Sequence, residues 1–221
     1  MAYRRTERVI QRFNARREAI VDAARELAAE AGMEAVQIAL VAARADIATG
    51  TVYRYFPSKN ELVAALVEGV AARELAIMRH AAMVAPGPLS ALAAAIVTFA
   101  ARSRRQHKLI WAVLAEPVDH DISELRIACR RTLATEFEAR VAAAVAGANL
   151  PVQDSALTAV ALLGALLEGL VGPLAPEAGD EWKLRDSVQA LTLNALRGLG
   201  VVDARARGLV VQAAWPKEIA A

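Results

Sequence analysis

The chain has 221 residues, 56% of them hydrophobic, which is enough to bury the core of one large domain or two small ones. A single cysteine, Cys129, excludes an intrachain disulfide and favours a reducing, cytoplasmic location. The formal net charge is only +2, but residues 1–17 hold six arginines and one acid. This asymmetry predicts a polyanionic partner for that segment, the alternative being a solvated, flexible terminus.

No targeting or membrane-spanning segment is expected. The first residues are rich in arginine and lack the apolar stretch of a signal peptide. The longest uncharged stretch, residues 81–101, is interrupted by Pro86-Gly87-Pro88 and is rich in alanine. A buried core helix is therefore expected there rather than a membrane span.

Alanine is abundant while glycine and proline are few, which predicts long helices with short connections. The first predicted helix ends before Gly32, since glycine suits the left-handed position that follows a helix. Val9 and Phe13 extend its apolar stripe towards the N-terminus. The stripe itself has helical spacing and consists of Ile20, Ala24, Leu27 and Ala31.

Residues 36–56 carry two short helical patterns separated by a turn. Asp46 lies between them, and aspartate is a common turn residue. Two short helices joined by a turn of about three or four residues form a helix-turn-helix. The predicted inner faces are Ile38, Val41 and Ala42 in the first helix and Ala48, Val52 and Phe56 in the second.

The rest of the chain contains further helical patterns and no alternation of the strand type. Ser58 and Glu61 have the spacing of a capping box and predict the start of a long helix. Proline and glycine separate the later segments. The predicted helices span about 59–82, 88–104, 107–116, 122–147, 153–171, 180–198 and 203–214, which gives an all-α chain of nine or ten helices.

The second helix of the helix-turn-helix has an unusual surface. A helix turns by about 100° per residue, so Gly50 and Arg54 point outward when Val52 points inward. The flanks carry two threonines and two tyrosines: Thr49, Thr51, Tyr53 and Tyr55. Hydroxyls and a cation without a carboxylate suit a helix that enters a DNA groove, and glycine permits close approach. The alternative is an ordinary exposed helical turn.

A long contiguous motif resembles the signature of TetR-family regulators: it reads Gly-Thr-Val-Tyr-Arg-Tyr-Phe-Pro-Ser-Lys-Asn-Glu-Leu over residues 50–62. Residues 17–32 and 41–45 resemble the first and second helices of that family, so the resemblance covers roughly residues 15–65. It implies a three-helix DNA-binding domain at residues 1–57 and a six- or seven-helix regulatory and dimerisation domain at 58–221. The second part resembles the family only in being helical and in length.

The resemblance also implies residue roles at the DNA. Lys59 would pair with phosphate at the start of a helix, where the helix dipole already favours anions. A basic arm before the first helix would follow the backbone or enter a minor groove. The residues expected at the DNA are Thr49, Gly50 and Thr51 for bases or neighbouring phosphates, Tyr53 and Tyr55 for the backbone, with a base as the alternative for Tyr55, Arg54 as an outward cation, Lys59 and Gln37 for phosphates, and Arg4 and Arg5 for the arm.

Three positions depart from the family pattern. Asp46 stands in the turn where glycine is usual, and aspartate tolerates the left-handed conformation better than most residues. Val36-Gln37 stands where serine or threonine caps the second helix, and Leu40 where an acid is common. The departures concern the phosphate role of Gln37 and not the fold.

A homodimer and a small-molecule ligand are further implications of the resemblance. Two penultimate helices would pair with their copies, and two half-sites about 34 Å apart would multiply the DNA contacts. The expected interface consists of two apolar stripes, which a core within one chain would explain equally well: Val160, Leu163, Leu167 and Leu170, then Leu184, Val188, Leu191 and Ala195. The ligand candidates, each also compatible with a core or surface position, are Phe99, Trp111, Glu116, Arg126, Cys129, Arg130 and Phe137.

The sequence therefore predicts a transcriptional regulator, a repressor released from a double-stranded DNA operator by a small-molecule effector. The alternatives are an all-α ligand carrier or enzyme whose helix-turn-helix does not read DNA, and a DNA binder without sequence preference. No nucleophile–base pair, glycine-rich phosphate loop or paired-cysteine motif indicates catalysis or a cofactor. The adjacent residues Asp119-His120-Asp121 cannot easily converge on one ion, so a loop and helix cap are expected there and no metal.

Overall fold

The structure, a computed structural model, describes residues 2–116, 120–177, 179–213 and 215. In these ranges the chain forms ten α-helices and no strand, which confirms the predicted all-α fold. The first four helices are α1 (Ala2–Ala31), α2 (Ile38–Arg44), α3 (Thr49–Tyr55) and α4 (Lys59–Met83), with a 3₁₀ turn at Met33–Ala35. The others are α5 (Pro88–Arg105), α6 (His107–Leu114), α7 (His120–Ala146), α8 (Ser155–Leu170), α9 (Glu181–Gly198) and α10 (Asp203–Gln212).

Helix boundaries follow the local sequence signals. Gly32 ends α1 with a φ of 80°, a conformation in which a side chain would be strained. Ser58 caps α4 by accepting a hydrogen bond of 3.2 Å from the Glu61 N–H, as the capping-box spacing predicts. Asp154 and Asp180 cap α8 and α9 in the same manner. The ends of these helices are therefore set by local side chains and by glycine.

Helix α5 occupies the centre of the larger part of the molecule. It packs against α4, α7, α8 and α9, and most of its side chains are buried. Phe99 of α5 meets Phe137 of α7 edge to face, with ring centroids 6.0 Å apart. The uncharged stretch at residues 81–101 thus contributes a core helix, as predicted. Among the residues described, no helix combines the length and the apolar character that a membrane span needs.

Two buried arginines of α5 connect it to its neighbours. Arg102 donates two hydrogen bonds of 2.6 Å to the Glu74 carboxylate of α4, and both side chains are buried. Arg104 donates to the carbonyl of Leu170 at 3.0 Å, at the end of α8, and to that of Glu177 at 2.8 Å. Because a buried charge without a partner is costly, these bonds fix the positions of α4 and α8 relative to α5.

Helix α6 connects the two expected domains. It packs along α1, and Lys108 near its start donates a 2.8 Å hydrogen bond to the carbonyl of Glu30. The helix ends at Leu114, two residues earlier than predicted. Just beyond that end, the Glu116 carboxylate accepts a 3.2 Å hydrogen bond from the Met33 N–H. The start of α6 therefore contacts the end of α1, and the residue just beyond α6 contacts the 3₁₀ turn that follows α1.

Candidate nucleic-acid interface

The turn between α2 and α3 closes through a left-handed residue. Asp46 has a φ of 50°, which aspartate adopts more readily than most side chains. Its N–H donates to the carbonyl of Ala43 at 3.2 Å, and the Ile47 N–H donates to that of Ala42 at 3.0 Å. Asp46 thus takes the conformation for which glycine is the usual residue.

The exposed surface of α3 has the composition that its helical spacing predicts. Val52 and Phe56 are 0% and 1% exposed and attach α3 to the core. The exposed side is formed by Thr49, Gly50, Tyr53 and Arg54, with Thr51 and Tyr55 half-buried on its flanks. Helix α3 contains no carboxylate, so this surface does not repel a phosphate backbone.

The start of α3 differs from the prediction at one residue. Ala48 is exposed, whereas the sequence pattern placed it on the inner face. The reason is that Ala48 is the N-cap, with φ −70° and ψ 144°, so the regular helical rotation begins only after it. Gly50 lies where predicted, and a Cβ added to it would meet no atom within 4 Å. A binding partner can therefore approach the backbone of α3 closely at this position.

Gln37 and Lys59 flank the helix-turn-helix. Gln37 is the exposed N-cap of α2, but its side-chain amide donates to the Glu34 carbonyl at 2.8 Å and does not cap the helix. To contact a phosphate, the Gln37 side chain would therefore have to break its hydrogen bond to the Glu34 carbonyl. Lys59 is half-buried at the first position of α4, a helix of 25 residues whose N-terminal end favours anions.

Contacts between α1 and the end of α3 were not foreseen from the sequence. The ring centroids of Phe13 and Tyr55 lie 4.6 Å apart at an interplanar angle of 34°. The guanidinium of Arg17 lies 4.8 Å from the centre of the Phe56 ring, and that of Arg54 lies 5.4 Å from the Tyr55 ring. The sequence did indicate such contacts, because the apolar stripe of α1 continues beyond the core as far as Phe13. Tyr55 is consequently engaged with α1 in addition to flanking the exposed surface.

Some sequence predictions lie outside the described residues. The backbone of Arg4 and Arg5 belongs to α1, but their side chains are not among those described. The same holds for Asp119 and for the side chains of His120 and Asp121.

The helix-turn-helix segment matches a family of known proteins. Residues 20–66 match the model described as bacterial regulatory proteins, tetR family. The helix-turn-helix segment of this chain is thus similar to that of TetR-family regulators. Over 48 residues it is 58% identical to the HTH-type transcriptional repressor KstR of Rhodococcus jostii (strain RHA1) and 56% identical to KstR of Mycobacterium tuberculosis (strain ATCC 25618 / H37Rv). These alignments cover 22% of this chain and 23% and 22% of the two repressors, so the matched segment is less than a quarter of each relative.

Solved structures show that the TetR fold extends over nearly the whole chain. RolR in complex with resorcinol has a TM-score of 0.66 and 21% identity, covering 94% of this chain and 98% of RolR. FadR from Bacillus subtilis in complex with stearoyl-CoA has a TM-score of 0.63 and 18% identity, covering 89% and 98%. At these identities the likeness concerns the fold alone.

The core of the molecule contains two of the seven ligand candidates. Phe99 and Phe137 are 1% and 0% exposed and pack on each other. Arg126 is also buried, and it donates to the carbonyls of Ala112 and Glu116 at the end of α6. These three side chains already have partners within the protomer.

The remaining candidates are dispersed. Glu116 contacts the Met33 N–H, so its carboxylate belongs to the junction between the expected domains. Trp111 and Cys129 are half-buried, and burial raises the pKa of the Cys129 thiol. Arg130 is exposed. A cavity lined by α4, α5 and α10 and another between α8 and α9 touch none of the seven candidates.

Helices α8 and α9 leave an apolar groove on the surface of the protein. The groove has a volume of about 410 Å³, and its walls include Leu157, Ala161, Ala165, Leu191 and Ala195. Four predicted interface residues are no more than 5% exposed and belong instead to the core of the protomer: Leu163, Leu167, Leu170 and Val188. The outer edge of the same stripes is formed by Val160, Leu184, Leu191 and Ala195. Each of the two helices is apolar over a wide arc, part of which faces the core and part the groove. The spacing of apolar residues therefore could not distinguish the buried residues from the exposed ones.

Proposed function

We propose that this chain is a transcriptional repressor that binds a double-stranded DNA operator as a homodimer and is released by a small-molecule effector. The exposed face of α3 carries this proposal. It combines hydroxyls, one arginine and an unobstructed glycine without any carboxylate. It also lies within a helix-turn-helix segment 58% identical to that of the repressor KstR. Such a surface matches the donors and acceptors of a DNA major groove.

Helix α3 would enter the major groove. Thr49 and Thr51 would hydrogen-bond to base edges or adjacent phosphates, and Tyr53, which is 50% exposed, would reach the backbone. Gly50 would allow the helix backbone to approach the bases. Lys59 would neutralise a phosphate from the start of α4.

A second copy of the chain would cover the groove between α8 and α9. Leu157 and Val160 are 68% and 60% exposed and lie beside this groove, and a contiguous apolar patch of this kind is typical of a protein–protein interface. The dimer would present two copies of α3 to half-sites about 34 Å apart, or a multiple of that spacing. Because one short helix provides few contacts, operator affinity would depend on this pairing.

The effector would act within the larger domain. Two proteins of the same fold are known with small molecules, RolR with resorcinol and FadR with stearoyl-CoA. A ligand between α5 and α7 would have to separate the Phe99–Phe137 pair, whereas one beside Trp111 and Cys129 would meet half-buried side chains. A coupling of about 1–3 kcal/mol between effector and operator binding would make a useful switch. A thermal-shift screen of small molecules, followed by operator release, identifies the effector.

The double variant Thr51→Ala, Tyr53→Ala tests DNA recognition. Its operator affinity should fall by up to about 10³-fold, because each lost hydrogen bond costs about 1 kcal/mol and two are lost in each of the two half-sites. The matched control is Thr132→Ala, Thr135→Ala, two exposed threonines of α7. The assay is a titration of DNA from around the coding region of this protein, at several salt concentrations, with circular dichroism to verify the fold.

Three results would contradict the proposal. A wild-type protein without salt-sensitive DNA binding would refute it directly. Equal affinity for unrelated DNA sequences would indicate a binder without sequence preference. Unchanged behaviour of the double variant would indicate a ligand carrier or enzyme whose helix-turn-helix does not read DNA.

A further inference from the structure

The first half of α1 has no core to pack against. Every residue from 7 to 19 is exposed, and the first buried residue of the helix is Ile20. At about 1.5 Å per residue, this stretch is about 20 Å of helix outside the core. Because most helical stability in proteins comes from tertiary packing, a partner that packs on this stretch would stabilise it. The charge of this stretch indicates what that partner is.

Three arginines form a stripe along the exposed stretch. Arg8, Arg12 and Arg16 follow one another at intervals of four residues, so they lie on one flank at steps of about 6 Å. All three are exposed, and none forms an ion pair within the described part of the chain. Glu7 and Glu18 lie about 120–140° around the helix from Arg12. The stripe is therefore a row of cations with no acid among them.

The stripe lies close to α3, the helix proposed to enter the DNA groove. Phe13 lies between Arg12 and Arg16 in sequence, and its ring packs at 4.6 Å on that of Tyr55 in α3. Tyr53 and Arg54, the exposed residues proposed to face DNA, immediately precede Tyr55. Arg17 does not belong to the stripe, because its guanidinium stacks on Phe56. A duplex bound to α3 therefore lies near the first half of α1.

We propose that residues 7–19 of α1 are a second DNA-binding element, in which Arg8, Arg12 and Arg16 bind the phosphate backbone beside the groove entered by α3. This inference rests on the proposed function. Arginine pairs well with phosphate, and neutralising the stripe removes the repulsion among its three charges. Bound DNA therefore stabilises the helix that carries the stripe.

A membrane surface is the competing partner for a basic amphipathic helix. Val9 and Ile10 are 61% and 54% exposed and would be its apolar contacts. Phe13, the largest apolar side chain of the stretch, is instead partly covered by Tyr55. Burying it in lipid would require that contact to break, whereas a phosphate contact by the arginines leaves it intact. The geometry accordingly favours DNA.

The salt dependence of operator binding tests the inference on the full-length protein. Each lost phosphate contact lowers the slope of log affinity against log salt by about 0.9. In a dimer, Arg12→Gln should therefore lower the slope by about 2, and the triple variant Arg8→Gln, Arg12→Gln, Arg16→Gln by up to about 5. Glutamine keeps a similar helix propensity, so the fold should be preserved. The matched control is Arg131→Gln, an exposed arginine of α7, whose slope should equal that of the wild type.

Hydrogen exchange provides an independent measurement. The amides of residues 7–19 should exchange more slowly when operator DNA is added, and this protection should be lost in the triple variant. A wild-type slope in the triple variant, or exchange that DNA does not change, overturns the inference while leaving operator binding by α3 intact. Protection by anionic vesicles, but not by DNA, assigns the stripe to a membrane and overturns it as well. If the wild type binds no DNA, the proposed function itself fails.

Discussion

Gly50 is the residue of α3 that the protomer itself does not require. Glycine destabilises a helix interior by about 1 kcal/mol relative to alanine. A Cβ at this position would meet no atom within 4 Å, so no neighbour demands the small side chain. The protomer would thus tolerate alanine, and the place of Gly50 on the surface proposed for DNA gives this glycine its expected role, the close approach of a partner.

Gly50→Ala should separate stability from DNA binding. We expect a free energy of unfolding that is unchanged or higher by up to about 1 kcal/mol, because the helix propensity improves without a clash. Operator affinity should fall, because the new methyl group occupies space against the bases. Gly69→Ala is the control: Gly69 is exposed in α4, and its Cβ would also meet nothing within 4 Å. Thermal unfolding and DNA titration of both variants measure the two effects, and equal affinities would contradict the role assigned to Gly50.

At the candidate interface, the sequence predicted the conformation of some residues but not the exposure or hydrogen bonds of others. Asp46 could be anticipated in a left-handed turn, because few residue types tolerate it. Ala48 could not, since its exposure depends on the extended backbone of an N-cap. Gln37 could not either, because its bond to the Glu34 carbonyl depends on the 3₁₀ turn that precedes α2.

At the scale of elements, α6 is held at both of its ends against the end of α1 and the turn that follows it. Lys108 contacts the Glu30 carbonyl at the end of α1, and Glu116 contacts the Met33 N–H just after it. Arg126 of α7 donates to the carbonyls at the end of α6. A displacement of α7 would therefore reach Met33 through two hydrogen-bonded side chains.

Glu116→Ala should loosen this junction. Removal of the carboxylate leaves the Met33 N–H without its acceptor, so the amide of Met33 should exchange faster with solvent and stability should fall by about 1 kcal/mol. Glu34→Ala is the control, because Glu34 is an exposed acid next to Met33. Amide exchange followed by NMR measures the effect. Equal exchange at Met33 in the two variants would show that the carboxylate does not hold the junction.

The helices themselves were largely predictable, whereas their packing was not. Caps such as Ser58, Asp154 and Asp180 are local signals, so they mark helix ends in the sequence. The stripes of α8 and α9 are apolar over a wide arc, and the structure divides them between core and surface. Spacing alone could not show that Leu163 faces inward while Val160 faces outward.

In the molecule as a whole, the surface proposed for DNA and the surface proposed for dimerisation lie in different parts of the chain. Helix α3 presents the surface proposed for DNA, and α8 and α9 present the groove proposed for a second copy. Between them, α5 is joined to the end of α8 by Arg104, and α6 is joined to α1 by Lys108. Changes in the larger domain can therefore affect both surfaces at once.

Leu157→Glu should prevent dimerisation. The introduced carboxylate would be buried without a partner when two copies meet, which costs several kcal/mol in practice. Operator affinity should then fall by roughly 10²- to 10⁴-fold, because the two α3 helices no longer bind together. Val211→Glu, at an 81% exposed position of α10 outside the groove, is the control. Analytical ultracentrifugation measures the oligomeric state, and a dimeric Leu157→Glu variant would place the interface elsewhere.

The buried pair of Glu74 and Arg102 also limits how this sequence can diverge over generations. Loss of either partner leaves the other charge buried in the core without a partner, at a cost of about 3–5 kcal/mol. This is a large share of the roughly 5–15 kcal/mol by which a domain is stable. Replacement of both by apolar residues of similar volume can be neutral. In descendants of this chain the two positions should therefore be inherited together or exchanged together, although 28 residues separate them.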